Sequence, residues 1–314
     1  MTTTWIVTGG AGYIGAHVVD LFTKQGIEII VIDSGQSGDF KRLDSRVEVI
    51  KCDVMDVDRI LNLLGQRNIE GLIHLAASKS VEESIKLPEQ YFRNNFEGTQ
   101  AAFRLAEKLE ISNFIFSSTA AVYGGSGTSI VNESAPLMPI SPYGASKLEA
   151  EKWLSLACIE RKITLVILRY FNVAGTGNSS LQDFSRDNLI PRVLNWLLSG
   201  ESPIIYGGDY PTRDGTAIRD YLHVSDLAQV HLLIARSISS GALPKIMNVG
   251  TGKGTTVLEV INSVSAQLKL DTQPIYAPRR EGDAIELLAD ASLLYSAIGF
   301  RPDKGIDEIV RSLL

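Results

Sequence analysis

A doubly wound parallel α/β sheet, with a smaller α/β unit wound in and out of it, is the fold this sequence predicts. Three observations point there. Short β-branched runs alternate with helical periodicity as far as Arg169. Most of those runs are apolar at every position, as strands covered by helices on both faces must be. The first run leads directly into Gly9, Gly12 and Gly15 and then a helical pattern, the strand–loop–helix order of a dinucleotide-binding turn.

The elements follow in order. Trp5–Thr8 reads as the first strand, and Tyr13–Gln25 as a helix closed by a cap at Gly26. Strands are predicted over Glu28–Asp33, Val47–Lys51 and Gly71–Leu75, with a helix at Val57–Gln66 before the last of these. A long helix over Pro88–Lys108 has Pro88 in its first turn, where a missing N–H costs nothing. Strand Asn113–Ser118, helix Tyr143–Glu160 and strand Thr164–Arg169 complete the βαβ repetition.

After Arg169 the rhythm changes. Val173–Asp187 is rich in Gly, Ser, Asn and Asp and reads as a loop. A helix (Leu189–Leu198), a short strand (Ile204–Tyr206) and a polar, Gly-containing segment (Gly207–Thr216) follow. Helix Val224–Ile238 and strand Ile246–Val249 look like a return to the first sheet, and Leu258–Leu268 and the tail from Ala291 are helical again. The expected division is a dinucleotide-binding domain, 1–170 with 224–250, and a second domain, 171–223 with 251–314.

Composition narrows the function. At 314 residues with 45% apolar content the chain can bury a large core, which excludes wholesale disorder. With 30 Lys+Arg against 36 Asp+Glu, the net charge of −6 argues against a nucleic-acid partner, which calls for a basic face. Cys52 and Cys158 sit in no CxxC or Cys/His cluster, so neither a disulfide nor a metal site is expected, and Cys52 reads as core packing. His17, His74, His223 and His231 show no metal-ligand spacing and read as structural, as do Trp153 and Trp196. The first residues, Met1 to Trp5, carry no basic leader, and no apolar run approaches the ~18 residues of a membrane span. A cytoplasmic protein with no membrane partner is expected.

The glycine spacing Gly9-x-x-Gly12-x-x-Gly15 lets the chain turn tightly and brings backbone N–H groups and a helix N-terminus to a pyrophosphate. Asp33 ends the second strand 18 residues after Gly15, near the ~20 expected of a partner for a ribose 2′-OH. Its carboxylate would repel a 2′-phosphate, and Ser34-Gly35-Gln36 supplies no arginine to hold one, so NAD is favoured over NADP. Tyr143 and Lys147 stand at i and i+4 at the start of a helix and project from one face. A tyrosine base needs its pKa of ~10 lowered by about three units, worth roughly 4 kcal/mol. A neighbouring ammonium supplies part of that and a positively charged nicotinamide the rest. Ser117-Ser118-Thr119 places hydroxyls at a strand end, where Thr119 could bond both the phenolate and a substrate hydroxyl.

These motifs run together with Leu75-Ala76-Ala77-Ser78-Lys79, Asn94-Asn95-Phe96-Glu97-Gly98-Thr99, Arg169-Tyr170-Phe171-Asn172, Asp214 to Val224 and Pro278-Arg279-Arg280-Glu281-Gly282-Asp283. With them the chain resembles, over essentially its whole length, the extended short-chain dehydrogenases/reductases, and among them the nucleotide-sugar branch of the NAD-dependent epimerase/dehydratase family. The resemblance implies the Rossmann form of the sheet and an enzyme that epimerises a UDP-hexose (UDP-glucose or UDP-galactose) at C4 by transient hydride transfer to tightly bound NAD. It implies Tyr143 as base, Lys147 as its pKa partner and ribose anchor, and Thr119 as hydroxyl helper. It assigns Gly9, Gly12, Tyr13, Ile14 and Gly15, then Asp33, Ser34, Ser37, Asp53 and Val54, then Leu75, Ala76, Ala77, Lys79, Asn94 and Phe171, to NAD. It assigns Asn172, Asn188, Leu189, Ile204, Tyr206, Arg219, Tyr221, Arg280 and Asp283 to the UDP-sugar.

Alternatives stay open. A UDP-N-acetylhexosamine or UDP-pentose could be the substrate, because the position that gates bulk at the sugar falls, by resemblance, on Leu287, intermediate in size. A dehydratase needs acids beside the hydroxyl helper, where this chain has Ala120 and Ala121. A net reductase and a silent NAD-binding module are the other readings. The resemblance also implies a homodimer built on Pro88–Lys108 and Tyr143–Glu160, the first rich in apolar positions (Phe92, Phe96, Ala102, Phe103, Leu105). Arg213 and Arg279 read equally well as solvated cations.

Overall fold

The computed structural model describes residues 3–125, 127–183, 188–280 and 284–314. Strand β1 (Thr4–Thr8) is followed by α1 (Tyr13–Lys24), β2 (Glu28–Asp33), β3 (Glu48–Lys51), α2 (Val57–Leu64) and β4 (Gly71–His74). Then come α3 (Val81–Lys86), α4 (Pro88–Phe92), α5 (Gly98–Lys108), β5 (Asn113–Thr119), the short β6 (Ile130–Val131), α6 (Pro142–Arg161) and β7 (Thr164–Tyr170). The chain continues through β8 (Asn172–Ala174), α7 (Leu189–Leu198), β9 (Ile204–Tyr206), β10 (Ile218–His223), α8 (Val224–Ser237) and β11 (Ile246–Val249). It closes with β12 (Gly254–Thr256), α9 (Val257–Leu268), β13 (Ile275–Ala277), β14 (Glu286–Ala289), α10 (Ser292–Ile298) and α11 (Ile306–Arg311).

Seven strands form one sheet in the order β11-β7-β5-β4-β1-β2-β3, and every pairing in it is parallel. This is the doubly wound α/β fold the sequence predicts. Alternate residues of each strand supply two separate cores. Trp5, Val7, Ile29 and Val31 pack with α1 and α8 on one face. Ile6, Ile30, Ile32 and Ile50 pack with α2, α5 and α6 on the other. Strand order reverses between β1 and β4, so their C-terminal ends flank the crevice where ligands enter such sheets.

A second sheet runs β12-β10-β14-β6, with β8 also paired to β10, and β9 and β13 form a separate parallel pair. Most of these strands are two to four residues long, and the sequence reading missed all but β9. Strand β8 lies inside a segment read as loop. The six-residue β10 was hidden by its polar content. Its Asp220 is fully buried and accepts hydrogen bonds from Thr251 N (2.9 Å), the Thr251 hydroxyl (2.6 Å), Gly252 N (2.8 Å) and Ala289 N (3.1 Å). One carboxylate thus ties β10 to the turn before β12 and to β14.

The helix predicted over Pro88–Lys108 is interrupted. Between α4 and α5 a π-helical turn spans Arg93–Glu97, a local widening often found at functional sites. Cys52 and Cys158 are buried free thiols, and burial pushes Cys158 up to about 12. Trp153 packs edge-on against Phe103 at 5.2 Å, and Trp196 is half-buried in the core beneath α7. The four histidines all make hydrogen bonds inside the fold. Tyr170 donates to His231 Nε2 (2.6 Å), whose Nδ1 faces the Leu227 carbonyl (2.9 Å). Among the described residues no group of histidine, cysteine and carboxylate side chains could hold a metal ion.

Candidate active site

Backbone builds the first half of the site. Gly9 takes a left-handed φ of +72° and receives no side chain easily, since a Cβ there would lie 2.6 Å from Ala76 N. At Gly15 a Cβ would lie 2.2 Å from the Gly9 carbonyl oxygen. The loop is therefore closed down onto the start of α1, and Gly12, the residue preceding that helix, offers no side chain to its free N–H groups. A dinucleotide pyrophosphate fits this cradle. Asp33, 8% exposed, accepts from Ala11 N (3.0 Å) and Gly35 N (2.8 Å). A carboxylate has about four acceptor positions, so capacity remains for a ribose hydroxyl.

Across the crevice the Thr8 hydroxyl and His74 Nδ1 are 2.7 Å apart, and His74 Nε2 meets Thr99 at 3.2 Å. Burial, with the Lys147 charge beside it, holds this imidazole down at about 3, so it is neutral. Ser34 and Ser37 are exposed beyond β2, and Asp53 is exposed while Val54 is buried behind it. Asp53 accepts from Met55 N at 2.9 Å. Leu75, Ala76 and Ala77 are half-buried along the crevice, and Phe171 is buried at the end of β7. Ile14 packs against the core on the α1 side. Tyr13 turns its hydroxyl away from the glycine loop to the Gly175 carbonyl (2.6 Å), so only its backbone faces the cradle.

Asn94 and Asn95 sit on the π-helical turn. Asn94 donates to the Ser78 hydroxyl (3.0 Å). Asn95, fully buried, accepts from Ser78 N (2.8 Å) and donates to Ser78 O (3.1 Å) and the Ser146 hydroxyl (3.0 Å). It fixes the segment after β4 against α6. The sequence reading quoted Asn95 in a motif but gave it no role; its signal was a pair of amides in an otherwise helical run.

The reactive-looking side chains meet where β5 ends. Ser141 caps α6, accepting from Gly144 N at 3.2 Å, and Pro142 opens the first turn. A Cβ at Gly144 would lie 2.6 Å from the Ala121 carbonyl oxygen, so only glycine lets this turn press against the residues after Thr119. That approach brings the Thr119 hydroxyl, which accepts from Ala121 N at 3.1 Å, near enough to Tyr143 to act on its phenol. Burial raises the Tyr143 phenol and the Thr119 contact pulls it back. Lys147, 2% exposed, donates to the Ser117 carbonyl (2.7 Å) and stands over the Phe116 ring at 4.8 Å. Burial brings it down to about 7, partly offset by Glu151. The sequence reading gave Lys147 a direct share in lowering the tyrosine. Here one of the three ammonium donors goes to the strand, and burial and Thr119 are the influences that act on the phenol.

The second half is made of side chains. Tyr221 pairs with Asn172 across β10 and β8, and Arg219 with Leu287 across β10 and β14. Arg219 donates to its neighbour's carbonyl, Ile218 O, at 2.8 Å. Leu287 packs on the cluster containing Ala120 and Phe171, close to the Thr119 end of β5. Ile204 and Tyr206 lie on the separate β9–β13 pair, and the Arg280 guanidinium stacks on the Tyr206 ring at 4.1 Å. Asn188, which precedes α7 and its first residue Leu189, donates to Asp183 at 2.7 Å. Asp183 also stands 3.9 Å from the Lys79 ammonium, so it joins the two halves. Nothing in the sequence reading pointed to it. Arg213 pairs with Glu259, and Arg279 with Asp209 at 2.7 Å and the Tyr210 ring at 4.2 Å. Asp283 lies outside the described residues.

Comparison with known proteins shows the family and fold to which the chain is similar. The profile described as NAD dependent epimerase/dehydratase family matches residues 5–250. A UDP-glucose 4-epimerase of Azospirillum brasilense is 37% identical over 98% of this chain and 90% of its own. The crystal structure of UDP-glucose-4-epimerase from Stenotrophomonas maltophila, with bound NAD and formylated UDP-arabinopyranose, superposes with a TM-score of 0.92 at 33% identity, covering 99% of this chain and 96% of the other. That of the Bifidobacterium longum UDP-glucose 4-epimerase with NAD+ and UDP gives 0.89 at 32% identity, over 99% and 97%.

Proposed function

The chain belongs to the NAD-dependent epimerase/dehydratase family, and we propose that it inverts C4 of a UDP-hexose, interconverting UDP-glucose and UDP-galactose. The observation that carries this reading is the convergence of Thr119 and Tyr143 at the end of β5, where Gly144 presses α6 against Ala121, with Ala120 and Ala121 following Thr119 in the chain. Those alanines cannot transfer the protons that loss of water demands. A hydroxyl pair followed in the chain by alanines where a dehydratase needs acids suits oxidation and reduction of one carbon only.

The residues divide the work. Tyr143 takes the proton from O4 through or beside Thr119 and later returns it. Lys147 and Asn94 orient the ribose side, and Asp33 the far ribose. Bound NAD supplies reversible acceptance of the C4 hydride, and its positive ring favours the phenolate that burial opposes. Arg219 and Arg280 clamp the diphosphate, Tyr206 meets the uracil, and Asn172, Asn188 and Tyr221 hold the remaining polar edges. Grip on UDP with looser contact to the sugar lets the 4-keto sugar turn over before reduction. In this division residues 1–170 with 224–250 carry the cofactor, and 171–223 with 251–314 the nucleotide sugar. Leu287, packed on the cluster with Ala120 and Phe171, is the position that gates bulk at the sugar, and its intermediate size leaves a UDP-N-acetylhexosamine or UDP-pentose as the alternative substrate.

We read the assembly as a homodimer. Ala102, Phe103 and Leu105 are core, but Phe92 on α4 and Leu156 and Ile159 on α6 are exposed, the last two by 73% and 71%. A light-scattering mass near twice the 34.2 kDa chain is expected, and a monomer mass at micromolar concentration refutes it. No helix among the described residues is long and apolar enough to cross a membrane, and a cytoplasmic enzyme acting on a small nucleotide sugar, without nucleic acid, is the accompanying reading.

The test supplies UDP-glucose, UDP-N-acetylglucosamine and UDP-xylose separately to purified protein with no added NAD(H). C4 epimers are expected without net NADH, from protein whose heat-released supernatant contains NAD. Absence of both NAD and NADH from that supernatant refutes the internal-cofactor reading, and stoichiometric NADH production makes the enzyme a dehydrogenase instead.

A further inference from the structure

One turn beyond Lys147 on α6 lies Glu151, 3% exposed and facing Arg169 of β7, itself 1% exposed. Arg169 donates from Nε to Glu151 Oε1 (3.0 Å) and from Nη2 to Oε2 (2.6 Å). The Ser118 hydroxyl donates to the same Oε1. Arg169 Nη1 reaches the Tyr123 hydroxyl (3.0 Å), which donates to Asn248 Oδ1 of β11 (2.6 Å). Asn248 Nδ2 donates in turn to the Val131 carbonyl of β6 (2.9 Å). A single chain of buried polar groups therefore runs from the helix of Tyr143 and Lys147, through the large sheet, to the second sheet.

A buried ion pair of this kind is poor value as stability. Desolvating two charges costs several kcal/mol per ion, and apolar replacements of similar volume often do as well or better. Its position suggests another use. Ser118 immediately precedes Thr119, and successive strand residues face opposite ways, so anchoring Ser118 to α6 turns Thr119 to the crevice. The preceding carbonyl, Ser117 O, is the one that receives Lys147. Glu151 thus stands behind both the hydroxyl helper and the lysine.

We propose that Glu151, clamped by Arg169 and Ser118, is a positioning residue that fixes the strand end presenting Thr119 and the Ser117 carbonyl that receives Lys147. This rests on the reading of Tyr143, Lys147 and Thr119 as the reactive set. The titratable groups around Lys147 are Tyr143 and Glu151 on its own helix and His74 on β4, which is neutral. Arg169 and Tyr170 on β7 and Tyr123 stand behind Glu151 and Ser117. Of the charged groups, Glu151 is the one that acts to hold Lys147 protonated, against burial that drives the proton off. Without that carboxylate Lys147 loses its proton at lower pH. Because the ammonium is the working form, the alkaline limb of kcat then moves toward acid.

The experiment measures kcat and KM against pH for the NAD-loaded parent, for Glu151→Gln, and for Glu151→Gln/Arg169→Met, which removes both members of the buried ion pair. Glu151→Gln is expected to move the alkaline limb down by about one unit, a tenfold loss of kcat above it that recovers at acid pH, with KM changed less than about threefold, and the double variant, which also removes the opposing Arg169 charge, to move it less. A role in stability alone lowers the rate by one factor at every pH. A folded Glu151→Gln with the parent's profile overturns the proposal. Should neither charge variant fold, Ser118→Ala decides: kcat is expected to fall about fivefold with KM and NAD content kept, and the parent's kcat overturns the proposal. A parent that does not epimerise takes down the functional reading and this inference with it. A parent that epimerises beside unshifted variants refutes the role of Glu151 alone.

Discussion

The two halves of the crevice are built on different materials. On the side of β1, β2 and β4 the surface at the crevice is mostly backbone: a glycine loop folded onto itself, a helix start without a side-chain cap, and Asp33 buried beneath them. On the side of β8, β9, β10 and β14 it is side chains on short strands, with Arg280 exposed and Tyr206 and Arg219 half-buried. A backbone cradle tolerates almost no change in shape, because its neighbours are other backbone atoms. A side-chain cradle can be edited one contact at a time. The first half should therefore fail as a whole and the second by degrees.

The largest effect is expected at Gly15→Val. Its Cβ would fall 2.2 Å from Gly9 O and 2.8 Å from Gly10 Cα, with only backbone to move. We expect no NAD in heat-released supernatant, with circular dichroism reporting whether the fold survives. Full NAD retention would erase the contrast between the halves. Next is Tyr143→Phe, which keeps the ring and removes the proton acceptor. Turnover should drop by at least ~10²-fold, with NAD and UDP-sugar binding kept, and a parent-like rate would place the base elsewhere. In the side-chain half, Arg219→Met removes a charged donor worth about 1.5–3 kcal/mol, so KM for the UDP-sugar should rise roughly ten- to a hundredfold while NAD content is untouched. Loss of NAD in that variant would show that the halves are not separable in this way. Smallest is Arg213→Gln. Its pair with Glu259 is about half exposed on both sides, and such pairs contribute at most ~1 kcal/mol, so kinetics should match the parent and the urea midpoint should barely move.

The same contrast explains what could be read from the sequence. Strands β1, β2, β4, β5, β7 and β11 are apolar on both faces, and their runs stand out whatever surrounds them. The glycine loop and the Tyr143/Lys147 spacing were legible because each answers a purely local demand, a tight turn or one helix face. The short strands of the second sheet were not. Two or three residues carry no period, and in β10 the buried Asp220 breaks the apolar pattern, because its four donors come from distant segments. Likewise Asn95 and Glu151 are held by partners far along the chain, Ser78 and Ser146 for the first and Ser118 and Arg169 for the second, Asp183 reaches Lys79 across the fold, and the π-helical turn that presents Asn94 and Asn95 leaves no periodic trace in an otherwise helical run. That Tyr13 gives its hydroxyl to Gly175 and not to the crevice was equally out of reach.

The route of the chain between the sheets has a consequence for how the molecule is made. Strand β7 ends at Tyr170, and its outer neighbour β11 begins only at Ile246, after the chain has laid down β8 and β10 of the other sheet. A ribosome that has just released β7 holds six of the seven parallel strands and an open edge, with the outer face of α1 still waiting for α8. That edge stays unpaired through the synthesis of some seventy-five further residues, at roughly 5–20 residues per second a delay of several seconds. Such an edge templates pairing with other chains. A piece ending at Tyr170 would carry it permanently, so neither lobe can be cut free at a single bond and expected to stand alone.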